Sequence, residues 1–193
     1  MSEKNLDFPE LNNDPGVPAD VAARAARVEL IAMDVDGVLT DGHTWQLDNG
    51  EQLLCFSAID GTALNLCHRA GVKIAVLSGR NLPAARTRME RFPIEELHLG
   101  IGFKAKVMEG ICERQGVSLD KVAYIGDDMI DLPLLKKVGL PVAVPNAIPE
   151  VRDAAAWVTE RPGGEGAVRD LIILVLKARG LYVDAVHSYW EAV

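Results

Sequence analysis

Short apolar runs that stop abruptly at polar residues alternate along this chain with segments of helical periodicity. Leu30-Ile31-Ala32-Met33 stops at Asp34, and Lys73-Ile74-Ala75-Val76-Leu77 stops at Ser78-Gly79-Arg80. Val122-Ala123-Tyr124-Ile125 stops at Gly126-Asp127-Asp128, and Pro141-Val142-Ala143-Val144 stops at Pro145-Asn146. A weaker run, Leu97-His98-Leu99, precedes Gly100 and Lys104. Runs of this length, bounded by turn residues, predict strands buried on both faces. Between them lie predicted helices over 19–28, 60–71, 82–91, 105–115, 130–138 and 167–179. In the second, Asp60 is the expected N-cap, Ala63, Leu64, Cys67 and Ala70 share a face, and Gly71 ends the helix. Pro83 and Pro133 fall in first turns, where proline is tolerated. Strict alternation of strand and helix predicts an α/β fold: a doubly wound, Rossmann-like parallel sheet with helices on both faces. One stretch departs from the alternation. Residues 44–47 and 52–56 flank Asn49-Gly50 and predict a β-hairpin inserted after the first strand.

The organisation expected is an N-terminal arm with a possible short helix (1–28), one domain (29–180) and a C-terminal tail (181–193). The first 20 residues, rich in Asn, Asp, Pro and Gly, are expected to be mobile. At 193 residues, 49% hydrophobic and 25% charged, the chain suits one globular domain and leaves no room for a second of ordinary size. A net charge of -8 argues against nucleic-acid or anionic-membrane partners. The start of the chain carries Glu3, Asp7 and Glu10 and no apolar run, so no signal peptide is expected and a cytoplasmic location is. Cys55, Cys67 and Cys112 are unevenly spaced and are expected to be reduced core residues. Trp45, Trp157 and Trp190 are expected to pack, and the four histidines show no ligand spacing.

In an open parallel sheet, ligands bind at the carboxyl ends of the strands. Four predicted strand ends carry polar groups: Asp34 with Asp36, Ser78, Lys104, and Asp127 with Asp128 and Asp131. Carboxylates gathered at buried strand ends need a cation, and oxygen ligands suit magnesium. With a hard cation present, one carboxylate can attack phosphorus while Lys104 offsets charge on the phosphoryl oxygens. A second, two residues on, can protonate the leaving alkoxide and then deprotonate water. Gly37 permits a turn beside the phosphate, and Ser78 can donate to its oxygens. Taken singly, Asp-X-Asp, Gly-Asp-Asp and Ser-Gly-Arg are common surface or turn sequences. Their occurrence together, in this order and each after a predicted strand, carries the reading.

The segments Asp34-Val35-Asp36-Gly37-Val38-Leu39-Thr40, Ser78, Lys104 and Gly126-Asp127-Asp128-Met129-Ile130-Asp131 resemble the four motifs of the haloacid dehalogenase (HAD) superfamily. The likeness spans roughly residues 29–180. It implies Asp34 as nucleophile, Asp36 as acid and base, and Ser78 and Lys104 as holders of the phosphoryl group. It also implies magnesium on Asp34, the backbone carbonyl of Asp36 and Asp127, with Asp128 and Asp131 behind them. An acid at the second Asp favours a phosphatase over a dehalogenase.

The Asp36–Gly42 stretch, the hairpin, Asp60-Gly61, Gly79-Arg80 and Gly163-Gly164-Glu165-Gly166-Ala167-Val168-Arg169 look like the capless 3-deoxy-D-manno-octulosonate 8-phosphate (KDO 8-phosphate) phosphatases. Phosphatases of nine-carbon sugar acids share the pattern. This narrower resemblance implies no cap domain and a homotetramer joined through hairpins, with a neighbour covering each site. It also implies a phosphorylated sugar-acid substrate and a place in lipopolysaccharide biosynthesis. Asp36, Gly37, Asp60, Gly61, Gly79, Arg80, Arg88 and Lys104 are its substrate-binding positions. Ile59 and Asn65 stand where many members carry arginine, whose fork suits a carboxylate. A nine-carbon keto-acid phosphate, another small phosphometabolite, or an idle homologue acting by binding or assembly are the other readings.

Overall fold

The computed structural model describes residues 16–191. Every predicted run is a strand, and the polar members of these runs, Lys73 and His98, are only partly buried while the apolar positions of the central strands are buried. β1 (Leu30–Met33) is buried at all four positions, and it pairs in parallel with β4 (Lys73–Ser78) on one side and β6 (Val122–Gly126) on the other. β5 (Glu96–Leu99) continues the sheet beyond β4, and β7 (Leu140–Ala143) continues it beyond β6. A two-residue edge strand, β8 (Trp157–Val158), completes a six-stranded parallel order β5-β4-β1-β6-β7-β8. β8 was absent from the sequence reading because two residues show no period. The order reverses direction at β1, which places a crevice at the carboxyl ends of β1, β4 and β6.

Helices cover both faces, as expected. α1 (Ala19–Ala25), α2 (Ala58–Arg69), α7 (Ala167–Ala178) and α8 (Tyr182–Trp190) pack on one another, while α4 (Lys104–Gln115), α5 (Leu132–Leu135) and α6 (Pro149–Ala154) form a second group. α3 (Pro83–Met89) links β4 to β5 and carries its proline at the start. α7 buries Val168, Leu171, Ile172, Leu174, Val175 and Leu176, and each such side chain removed from water stabilises by about 1.5–3 kcal/mol. The hairpin forms from β2 (Trp45–Gln46) and β3 (Gln52–Leu53), with Gly50 at φ 85° in its turn. No separate cap folds over the crevice among the described residues.

Several expectations change. α2 begins at Ala58, two residues early, so Asp60 lies inside its first turn and does not cap it. The helix expected over 130–138 opens as a 3-10 turn (Met129–Asp131) before the short α5, because Asp128 and Asp131 form a capping box there. Residues 182–190, read as tail, form α8, which buries Tyr182 and Ala185; Arg69 of α2 donates to the Ser188 carbonyl at 3.0 Å. Cys67 and Cys112 are buried and free, but Cys55 is exposed beside the hairpin. Trp45 is 66% exposed and does not pack against the core. The predicted mobile arm lies, up to residue 15, outside the described residues.

Candidate active site

Asp34 is the first residue past β1. Its amide is anchored to the Ile125 carbonyl at 3.1 Å, so the chain enters the site with strand geometry. Its side chain, 8% exposed, pairs with Lys104 Nζ at 2.8 Å through Oδ2 and accepts from the Val35 amide at 2.7 Å through Oδ1. Lys104 opens α4 and is itself buried; it reaches Asp131 Oδ1 at 2.7 Å and the Tyr124 hydroxyl at 3.2 Å. The Tyr124 hydroxyl donates to the same Asp131 oxygen at 2.6 Å. Asp131 Oδ2 accepts from the amides of Asp127 (2.9 Å) and Asp128 (3.2 Å). Both oxygens of Asp131 are therefore engaged, and it braces Lys104 and the β6 loop. Asp127 is different: its Oδ1 is buried and has no hydrogen-bond partner.

Asp34, Asp127 and Asp131 each offer an oxygen, and these atoms all lie within 4.8 Å of one another. Three carboxylates thus face one ammonium. Burial pushes the Asp34 carboxyl up to about 7, against the pull of Lys104. Burial, and then the charges of Asp34, Asp131 and Asp128, push Asp127 up to about 8. For Lys104, burial pulls the other way, but Asp34 and Asp131 together raise it and keep it charged. The orphaned Asp127 oxygen and the all-oxygen donor set fit a hard divalent cation such as magnesium. Asp34 and Asp127 are the residues with capacity to hold it; Asp131 is already committed.

Asp36 faces another partner. Its Oδ1 takes Arg80 Nη1 at 2.8 Å, and the Ser78 hydroxyl lies 3.5 Å from its Oδ2. Arg80 is held from the hairpin side by Thr44 Oγ1 (3.0 Å) and Gln52 Oε1 (2.8 Å). Ser78 ends β4 and receives the Arg80 amide at 3.1 Å, a tight turn into α3. Gly79 follows in that turn, with Ile130 of the β6 loop against it.

The sequence-predicted residues therefore separate into groups. Asp34, Lys104, Asp127 and Asp131 meet in one cluster, and Asp36, Ser78 and Arg80 in a second. Asp128 is exposed and caps the 3-10 turn through the Met129 amide at 2.7 Å. Gly61 and Arg88 sit together, a Cβ at Gly61 falling 3.1 Å from Arg88 Nη2, while the Arg88 guanidinium stacks on Phe92 at 4.7 Å. Asp60 is 1% exposed, with its Oδ1 accepting from the Arg169 amide at 2.8 Å. Burial pushes its carboxyl up to about 6.

Sequence reasoning missed Tyr124, Asn146 and Thr40. Tyr124 reads as one more apolar strand residue, and only its hydroxyl's position gives it a task. The Asn146 side chain donates to the Gly37 carbonyl (2.9 Å) and accepts from the Gly163 amide (2.8 Å). Thr40 Oγ1 accepts from the amides of Gly37 (3.2 Å) and Gly42 (3.3 Å). For the last two the available signal was a polar residue in the loop that follows a strand, Asn146 after β7 and Thr40 after β1.

A family profile described as haloacid dehalogenase-like hydrolase matches residues 102–171, the part of the chain holding Lys104 and the Asp127–Asp131 loop. The 3-deoxy-D-manno-octulosonate 8-phosphate phosphatase KdsC of Escherichia coli (strain K12) is 38% identical over 169 residues, 88% of this chain and 90% of that one. The chain belongs to the KDO 8-phosphate phosphatase family. Two structures of KDO 8-phosphate phosphatases superpose with a TM-score of 0.85. That from Yersinia pestis is 35% identical, covering 86% of this chain and 90% of its own. That from Moraxella catarrhalis, solved with magnesium, phosphate and KDO, is 30% identical and covers 88% of this chain and 98% of its own. Within this KDO 8-phosphate phosphatase family fold, Asp34 and Asp36 leave the same loop towards different cations, Lys104 and Arg80.

Proposed function

We propose that this chain hydrolyses the phosphomonoester of KDO 8-phosphate, giving KDO and inorganic phosphate, by way of a phospho-aspartyl intermediate on Asp34. Magnesium is its cofactor, held by Asp34, Asp127 and the backbone carbonyl of Asp36. When bound, it supplies positive charge that offsets the phosphoryl oxygens and keeps Asp34 ionised.

One observation carries the reading: two carboxylates two residues apart leave one strand end for different surroundings, Asp34 to Lys104 and the carboxylate cluster, Asp36 to Ser78 and Arg80. Asp34, oriented by Lys104 and the Val35 amide, attacks phosphorus as the bond to the sugar oxygen breaks. Asp36 donates a proton to the departing alkoxide, then takes one from the water that cleaves the phospho-aspartate. Ser78 and Lys104 bind the phosphoryl oxygens. Arg80, held against Asp36 by the hairpin's Thr44 and Gln52, is placed to meet the anionic substrate.

The assembly is a homotetramer in which hairpins meet. The exposure of Trp45 (66%) and Leu53 (54%) on that small element supports it. The setting is cytoplasmic, in the supply of KDO for lipopolysaccharide. In keeping with this, no helix among the described residues is long and apolar enough to cross a membrane.

Ile59 and Asn65 favour one further candidate, the phosphate of a small metabolite without a carboxylate. Ile59 is 43% exposed and apolar, and the Asn65 amide is spent on the Gly61 carbonyl at 3.2 Å, so neither supplies a cation.

The test is phosphate release from a panel of sugar and sugar-acid phosphates, with and without magnesium. KDO 8-phosphate is expected to turn over fastest and only with the metal; Asp34→Asn is expected to abolish release while leaving the fold intact. Faster release from an ester without a carboxylate would reassign the substrate. No release from any ester, by folded protein, would overturn the enzyme reading.

A further inference from the structure

α7 starts at a glycine. Its N-cap, Gly166, has φ 116° and no side chain, so the helix cannot cap itself. Asp60 does so from another helix, 109 residues away in sequence, taking the Arg169 amide at the third helical position. The carboxylate also meets the positive end of a 12-residue helix. Yet its second oxygen, Oδ2, is buried with no partner, which costs stability.

The loop that Asp60 anchors lies directly on the catalytic loop. The Gly164 amide donates to the Val38 carbonyl at 3.0 Å, and the Asn146 side chain bridges Gly163 to Gly37. Contact is backbone on backbone: a Cβ at Gly163 would fall 1.8 Å from the Gly37 carbonyl oxygen, and one at Gly164 2.5 Å from the Asp41 amide nitrogen. On the α2 side, Ile59 closes on Gly166, where an added Cβ would meet its Cδ1 at 2.7 Å. The 163–166 segment is thus a wedge between the start of α7 and the backbone that carries Asp34 and Asp36.

We infer that Asp60 is a positioning residue: by capping α7 it seats the 163–166 segment on residues 37–41 and so holds the catalytic loop in register, without touching the reacting atoms. The inference rests on the phosphatase reading for its kinetic arm only. Burial raises the Asp60 carboxyl, as befits a charge kept at a cost.

Asp60→Ala and Asp60→Asn separate this role from simple stability and from substrate contact. Assays are run at a temperature where circular dichroism shows each variant fully folded, alongside amide hydrogen exchange read by mass spectrometry without substrate. For Asp60→Ala the expected result is a fall in kcat of about tenfold or more with KM altered less than about threefold. Exchange should quicken at both 163–168 and 37–41 while the central strands stay as protected as in the parent. Asn keeps a carbonyl acceptor for the Arg169 amide and is expected to restore the protection and most of kcat. Should the alanine variant not fold, Asp60→Ser, whose hydroxyl ends short of that amide, takes its place. Unchanged exchange at 37–41 would overturn the inference, whatever happens to KM. So would faster exchange at 37–41 with kcat per folded molecule intact. If no ester turns over, the phosphatase reading fails by itself, and exchange at 37–41 alone decides the coupling.

Discussion

Gly37 has φ 81°, and a Cβ there would lie 2.0 Å from Asp127 Oδ2. The loop after β1 can therefore approach the β6 loop only as glycine, for reasons of both backbone conformation and space. Gly37→Ala is expected to push Asp127 aside and lower kcat/KM by about 10²-fold, with magnesium binding weakened by about tenfold or more. Steady-state kinetics and metal titration check both, and wild-type values from the alanine variant would refute the close approach. Asp34, Asp36 and Lys104 were legible at this scale, because each follows an apolar run of recognisable length within a few residues. Tyr124 was not. Inside the strand Val122–Gly126 it reads as apolar filling, and its hydroxyl acquires a task only when Lys104 and Asp131 arrive from 20 residues before it and 7 after.

Between elements, the ties run through charged groups at their ends. Glu96 opens β5 and receives Arg114 Nε (3.1 Å) and Nη2 (2.8 Å) from the last turn of α4, joined by Gln115 (3.1 Å) and His98 (2.8 Å). Hydrogen bonds from Arg114 hold its carboxyl down at about 2, below its ordinary 4.5. A carboxyl depressed by folding stabilises the native state above its unfolded value, and the benefit fades as pH falls through the folded one. Glu96→Gln is therefore expected to destabilise at pH 6, with the gap to the parent narrowing as pH falls below about 4.5 towards 2. Urea melts across that range measure it, and a gap that stays constant would show that the contact does not titrate. Helix boundaries were less legible than strands. Asp60 looked like a cap for the helix it sits in, but its acceptor serves α7, and no local spacing announces a partner 109 residues away.

At the scale of the whole molecule, a two-stranded hairpin leaves Trp45, Leu47 and Leu53 exposed. An isolated hairpin is marginally stable in water, and here Thr44 and Gln52 at its base also position Arg80. If the hairpins meet in a tetramer, light scattering is expected to report four times the chain mass, and Trp45→Glu with Leu53→Glu to shift it towards smaller species. A wild-type monomer would overturn the assembly. The five longer strands of the sheet, its two helical layers and the strand ends that carry polar groups were determined by sequence alone, because burial demands apolar runs and ligands gather where those runs stop. Tertiary structure alone decided which carboxylate meets which cation, that Asp131 is consumed by Lys104 and Tyr124 while Asp127 keeps an open oxygen, and that Gly163 lies on Gly37. Those are contacts between segments distant in sequence, set by how the layers pack and not by any residue's own neighbours.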